Sequence, residues 1–137
     1  MKQKKPSVLV VDDDHECRLM LSTVFAHEGY AVNAVADGAM AMAIVHSQPP
    51  DLVMMDAQLP RMTGFDVCQQ IKSNKATAHI PVVMLTAFSL ESAREQCLAA
   101  GADEFVAKPF HIDALLAVVK QVLLATAAST GAERNTA

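Results

Sequence analysis

Four polar sites follow directly on apolar runs in this chain: Asp12-Asp13-Asp14 after Val8–Val11, Asp56 after Leu52–Met55, Thr86 closing Val82–Thr86, and Lys108 after Glu104–Ala107. Carboxylates gathered in one crevice repel each other, and uncompensated ones stay protonated. Two kinds of cation compensate. A hard divalent ion such as Mg²⁺ takes carboxylate, carbonyl and water oxygens; a lysine adds a point charge. Acids, Mg²⁺, a lysine and a threonine hydroxyl together form a phosphoryl-binding set. One Asp of such a set can act as nucleophile and carry an aspartyl-phosphate.

Each residue also has a plainer explanation. Asp14 reads as a helix N-cap, Asp12 and Asp13 as solvated loop acids, and Asp56 as the cap of a turn. Thr86 reads as an ordinary strand residue and Lys108 as an exposed lysine. Taken singly, these are the better explanations. Taken jointly, they require complementary chemistry at four strand ends by accident.

The elements that must position these residues alternate regularly. Strands are predicted at Val8–Val11, Ala31–Ala36, Leu52–Met55, Val82–Thr86 and Glu104–Ala107. Three are nearly continuous apolar runs, as strands buried on both faces of a parallel sheet are. Ala31–Ala36 and Glu104–Ala107 are more mixed, as edge strands are. Helices are predicted over His15–Glu28, stopped by Gly29, and over Ala39–Ser47, stopped before Pro49-Pro50. Further helices are predicted over Phe65–Lys72 and, capped by Ser89 and stopped by Gly101, over Leu90–Ala100. In the last helix Ile112, Leu115, Leu116, Val119, Val122 and Leu123 share one face.

Five βα units with right-handed crossovers make a doubly wound α/β fold, an open five-stranded parallel sheet with helices on both faces. A closed barrel needs about 250 residues, whereas this chain has 137. In open α/β sheets ligands bind outside the carboxyl ends of the strands, which is where the polar residues fall. From Ala125 apolar periodicity ends, so residues 1–124 are expected to be the domain and 125–137 a tail or linker.

Composition narrows the class. Hydrophobic residues make up 52% and charged residues 19%, with a net charge of −4. That excludes a disordered chain, and nucleic-acid modules usually carry a basic surplus. The longest apolar run, Ala39–Val45, is far below the ~18 residues of a membrane span. No signal-peptide pattern precedes Asp12, so a cytoplasmic location without membrane attachment is expected. Cys17, Cys68 and Cys97 form no CxxC pair and read as reduced core residues.

The runs VLVVDDD (Val8–Asp14), DLVMMDAQLPRMTGFD (Asp51–Asp66), VVMLTA (Val82–Ala87) and GADEFVAKPF (Gly101–Phe110) together resemble the receiver domain of two-component response regulators, of the chemotaxis-regulator type. The resemblance covers about residues 6–124. It implies the flavodoxin-like (βα)5 fold with strand order 2-1-3-4-5. It implies Asp56 as phosphoacceptor and Asp12 and Asp13 as the acidic pair, with Asp13 the direct Mg²⁺ ligand and Asp12 acting through water. Mn²⁺ is an alternative ion. The Gln58 backbone carbonyl would join the metal shell. Thr86, the Ala87 amide and Lys108 would contact the phosphoryl group. Thr86 and Phe105 would be the switch pair, and Lys108–Pro109 a cis bond.

Gln58 and Phe88 would border the path of hydrolytic water and tune dephosphorylation. Thr63 stands where relatives often carry Asp or Asn before Gly64, with little effect expected. His15 and His111 read as surface histidines.

The resemblance implies a phosphorylation-dependent switch rather than an enzyme with a separate substrate. A sensor histidine kinase or a phosphotransfer protein would donate to Asp56. The face of the fourth helix, fifth strand and fifth helix would then engage an output domain, a partner protein or, as a homodimer, a second copy. Direct nucleic-acid binding is not expected. Two other classes share parts of this pattern. A flavodoxin-like cofactor binder would want a Ser/Thr/Gly-rich phosphate loop where Asp12–Asp14 stand. An aspartyl-phosphate phosphatase of the haloacid-dehalogenase type would use Asp12 and Asp14 as a DxD pair, but its cap insertion and other motifs are not evident.

Overall fold

The computed structural model describes residues 5–87 and 90–136, with side chains as far as residue 127, that of Leu90 excepted. Its elements alternate without a break: β1 (Ser7–Val11), α1 (His15–His27), β2 (Ala31–Val35), α2 (Gly38–Ser47), β3 (Leu52–Asp56), α3 (Gly64–Ser73), β4 (Val82–Thr86), α4 (Leu90–Ala100), β5 (Glu104–Ala107) and α5 (Ile112–Thr136). The five strands form one parallel sheet in the order β2-β1-β3-β4-β5. This is the doubly wound, flavodoxin-like arrangement expected from the sequence.

The central strands are apolar at successive positions because both faces of the sheet are covered. Leu9, Val11, Val53, Met55, Val82 and Met84 pack with residues of α2, α3 and α4, among them Ala41, Val45, Val67, Ile71 and Cys97. Val8, Val10, Leu52, Met54, Val83 and Leu85 pack with Leu21 and Phe25 of α1 and Leu115 and Val119 of α5. The edge strand β2 has mostly exposed or half-buried residues, and β5 has none that is buried.

Local signals mark the helix ends. The Asp14 side chain accepts the Glu16 amide and caps α1, and Asp37 caps α2 through the Met40 amide. Thr63 caps α3 in a reciprocal box: it accepts from the Asp66 amide, and Asp66 accepts from the Thr63 amide. A hydroxyl therefore does at residue 63 what the carboxyl or amide of relatives would do. Gly29 and Gly101 lie at φ +98° and +85°, in the left-handed region that ends α1 and α4.

Helix α5 continues past residue 124 to Thr136. Residues 125–136 of the stretch read as a tail are thus helical, although the apolar periodicity ends. Low periodicity removes a reason to pack, not the ability of Ala, Glu and Arg to be helical. Ser89, expected to cap α4, lies outside the described residues.

Candidate functional site

Register brings the site together. In the β1–β3 pair Val11 stands opposite Met55, so the next residues, Asp12 and Asp56, leave the sheet side by side. Thr86 stands opposite Ala107, which places Lys108 one step beyond it. Parallel strands all end on the same edge, and residues remote in sequence therefore meet there.

Asp12 is fully buried and Asp56 nearly so, at 0% and 7% exposure, while Asp13 is exposed. Ligand atoms of these three carboxylates lie within 4.8 Å of one another. Lys108 Nζ donates to Asp12 Oδ2 at 3.2 Å and to Asp56 Oδ2 at 3.3 Å. The Asp12 Oδ1 atom accepts the Asp14 amide at 2.9 Å, and Asp56 Oδ1 accepts the Gln58 amide at 3.0 Å. Thr86 is fully buried at the end of β4, and Gln58 and Ala87 are exposed at the same edge. Phe105 is half-buried and packs on the core cluster that α2, α3 and α4 share. The Lys108–Pro109 bond is cis, as expected. Phe88 lies outside the described residues. His15 and His111 are exposed, as read from the sequence.

The two buried acids differ electrostatically. Burial disfavours the Asp12 charge, but hydrogen bonds from Cys17 and the Asp14 amide and the Lys108 ammonium outweigh it and hold its pKa below the usual value. Burial dominates at Asp56 and, with the neighbouring Asp12 charge, raises its pKa despite the Gln58 amide and Lys108. Burial also works against the Lys108 charge, but Asp56 and Asp12 overcome it and raise the ammonium's pKa. A metal would relieve what Lys108 leaves uncompensated. Three hard carboxylates at this spacing, beside the exposed Gln58, suit Mg²⁺ or Mn²⁺ rather than a soft-ligand metal.

Three contributors were not read from the sequence. Cys17 was taken for a core residue. It is half-buried, packs on the α1/α5 side, and hydrogen-bonds the Asp12 carboxylate, and burial together with that acid pushes its thiol to about 12. Cys68 and Cys97 are buried core thiols as expected. Gly64 was named only as the residue after Thr63, but a Cβ there would collide with the Asp56 carbonyl oxygen and come within 2.9 Å of Met55 Cγ. Arg18 reaches back to the Asp12 carbonyl, Nη1 to O, at 2.9 Å. Its spacing from Asp12, just over one helical turn into α1, was the available signal.

An open parallel sheet with an acidic cluster, a lysine and a threonine at its carboxyl edge defines a receiver-type α/β domain. Residues 8–120 match the response regulator receiver domain family, and the chain belongs to it. It is 37% identical over 121 residues to the DNA-binding dual master transcriptional regulator RpaA of Synechocystis, covering 88% of this chain and 50% of that protein. It is 37% identical over 130 residues to the response regulator MprA of Mycolicibacterium vanbaalenii, covering 95% of this chain and 55% of that one. The chain thus spans about half the length of these relatives. Among solved structures, a putative response regulator from Chloroflexus aurantiacus superimposes with a TM-score of 0.84 at 34% identity, covering 88% of this chain and 99% of that one. The chemotaxis response regulator CheY4 of Vibrio cholerae gives 0.82 at 30% identity, covering 87% and 99%. This chain is a receiver domain of the two-component response regulators, a family of phosphorylation-dependent signalling switches. Among the described residues, no helix is long and apolar enough to cross a membrane.

Proposed function

We propose that Asp56 accepts a phosphoryl group from the phosphohistidine of a sensor kinase or phosphotransfer protein. The observation that carries this is the seating of Asp56 at the strand edge, within reach of Lys108 and of the other two acids. A carboxylate oxygen of Asp56 attacks phosphorus in line. The new O–P bond forms as the N–P bond breaks; the phosphohistidine reacts with its other ring nitrogen protonated, so the leaving nitrogen takes the electron pair and departs as neutral imidazole. Lys108 and the Thr86 hydroxyl, with the Ala87 amide, hold the phosphoryl oxygens. Asp12, Asp13, Asp56 and the Gln58 carbonyl would hold Mg²⁺, which neutralises charge on the transferring group. The domain thus promotes its own phosphorylation and dephosphorylation, with Gln58 and Phe88 tuning the rate at which the phosphoryl group is lost.

On this reading residues 1–124 form the receiver, 125–137 lead away from it, and the protein acts in the cytoplasm. Thr86 and Phe105 couple phosphorylation to the face of α4, β5 and α5, where an output domain, partner or second copy docks. The expectation of no nucleic-acid contact concerns this acidic chain alone. A longer protein bearing it would act on DNA through a separate segment, as the name of the Synechocystis relative suggests. In the DxD phosphatase alternative Asp14 would be the second acid; here its side chain accepts the Glu16 amide at the start of α1.

The test is acid-labile labelling with a phosphorylated kinase or an acyl phosphate. Asp56→Asn should take up no phosphate. Undiminished labelling of that variant at another residue would overturn the assignment.

A further inference from the structure

Asp12 is tied down at every polar atom. Its amide donates to the Val35 carbonyl at 3.1 Å, and its carboxylate meets Lys108 and the Asp14 amide. Its carbonyl oxygen accepts Arg18 Nη1 at 2.9 Å. That carbonyl belongs to the peptide joining Asp12 to Asp13, so whatever holds it sets where Asp13 departs from the chain. Asp13 is the exposed member of the cluster.

Arg18 is half-buried, and its second tine, Nη2, lies 3.3 Å from Nδ1 of His15. The Arg18 amide donates to the Asp14 carbonyl, and its own carbonyl accepts the Ser22 hydroxyl. Arg18 is therefore anchored on α1 through its backbone. Its planar fork holds two groups at once, as a flexible ammonium cannot: the Asp12 carbonyl in the β1–α1 turn and the ring of His15, the first residue of α1.

We propose that Arg18 is a positioning residue for the acidic cluster, fixing the Asp12–Asp13 peptide so that Asp13 is presented to Mg²⁺. This rests on the reading of the cluster as a metal site. Partners behind metal ligands commonly govern metal affinity without touching the ion. A purely electrostatic role has the opposite signature, because removing a nearby positive charge would favour a divalent cation.

The experiment compares the full chain with Arg18→Met, which keeps the stem without donors or charge, and Arg18→Lys, which keeps the charge without the fork. Magnesium binding is followed by calorimetry, apo amide signals by NMR, and thermal melting in EDTA. Arg18→Met should weaken Mg²⁺ binding about tenfold, and Arg18→Lys should fall between it and the parent. In both apo variants the Asp13 and Asp14 amide signals should shift. Magnesium bound as tightly as in the parent, or more tightly, overturns the proposal, and a lowered melting point with unchanged affinity does so too. If Arg18→Met does not fold, Arg18→Lys decides by the same criterion. Failure of the parent chain to bind Mg²⁺ would instead sink the metal-site reading, and this inference with it.

Discussion

Lys108 Nζ stands 3.3 Å from Asp56 Oδ2, bridging the last strand of the sheet to its middle strand. The same ammonium lies 3.2 Å from Asp12, so one cation serves two buried acids. Lys108→Ala leaves both uncompensated. Loss of one partner from a fully buried pair costs about 3–5 kcal/mol. The Lys108 side chain is 24% exposed, so a smaller loss, roughly 2 kcal/mol, is expected at neutral pH. Without the cation both carboxyls bind protons more tightly in the folded state, so the deficit should shrink on acidification. Urea titrations at neutral and acid pH measure this. Calorimetry should also show tighter Mg²⁺ binding, because the competing charge is gone.

Asp56 has a second consequence, independent of phosphorylation. Burial raises its pKa, so the folded state holds that proton more tightly than the unfolded chain does. The stability this group contributes is complete below its unfolded pKa and declines as pH rises through its folded one. Asp56→Asn should therefore raise the metal-free melting temperature at neutral pH, by a few degrees. The gain should fade as pH drops through the carboxylate range. A gain that grew on acidification would contradict the direction assigned to Asp56.

Magnesium should stabilise the chain by mass action, by about 2.7 kcal/mol at a hundredfold excess over its Kd. Asp13→Ala should remove most of that gain, and labelling should cease in excess EDTA. Melting curves with and without Mg²⁺ check the first point; equal labelling rates in EDTA would contradict the second.

Gly64 lies against the backbone of the phosphoacceptor. Its amide donates to the Ala57 carbonyl at 2.9 Å, and an added Cβ would meet the Asp56 carbonyl oxygen. Backbone cannot yield as the end of a side chain can, so Gly64→Ala should cost about 1–3 kcal/mol. Because the displaced atoms belong to Asp56, the labelling rate should fall even where the variant is fully folded. Rates measured well below its melting point separate the two effects.

Phe105 is half-buried on β5, opposite Met84 of β4. If Thr86 and Phe105 form the switch pair, beryllofluoride with Mg²⁺ should shift amide signals over residues 88–106 far more than those of Ala31–Ser47. Reversing an equilibrium from 1:99 to 99:1 takes about 5.5 kcal/mol, a scale within reach of charge-assisted hydrogen bonds and metal neutralisation. Shifts confined to the surroundings of Asp56, with one Phe105 rotamer in both states, would exclude this route.

Much of the fold was already legible in the one-dimensional pattern. Val8–Val11, Leu52–Met55 and Val82–Thr86 are apolar at successive positions, which only a sheet covered on both faces requires. Gly29, Gly101, Asp14 and the Pro49-Pro50 pair mark helix ends through local backbone preferences that need no tertiary context. The acids, the threonine and the lysine were visible as polar residues closing those strands, and their motifs carried the family. The tertiary structure decided what each of them touches. Register set Asp12 beside Asp56, and the last crossover returned Lys108 to both, contacts that span 96 and 52 residues of sequence. Cys17, Arg18 and Gly64 acquired roles at the site in the same way. A thiol, a guanidinium and a missing Cβ have no fixed meaning in a sequence; each depends on which atoms the packed chain brings within bonding or collision distance.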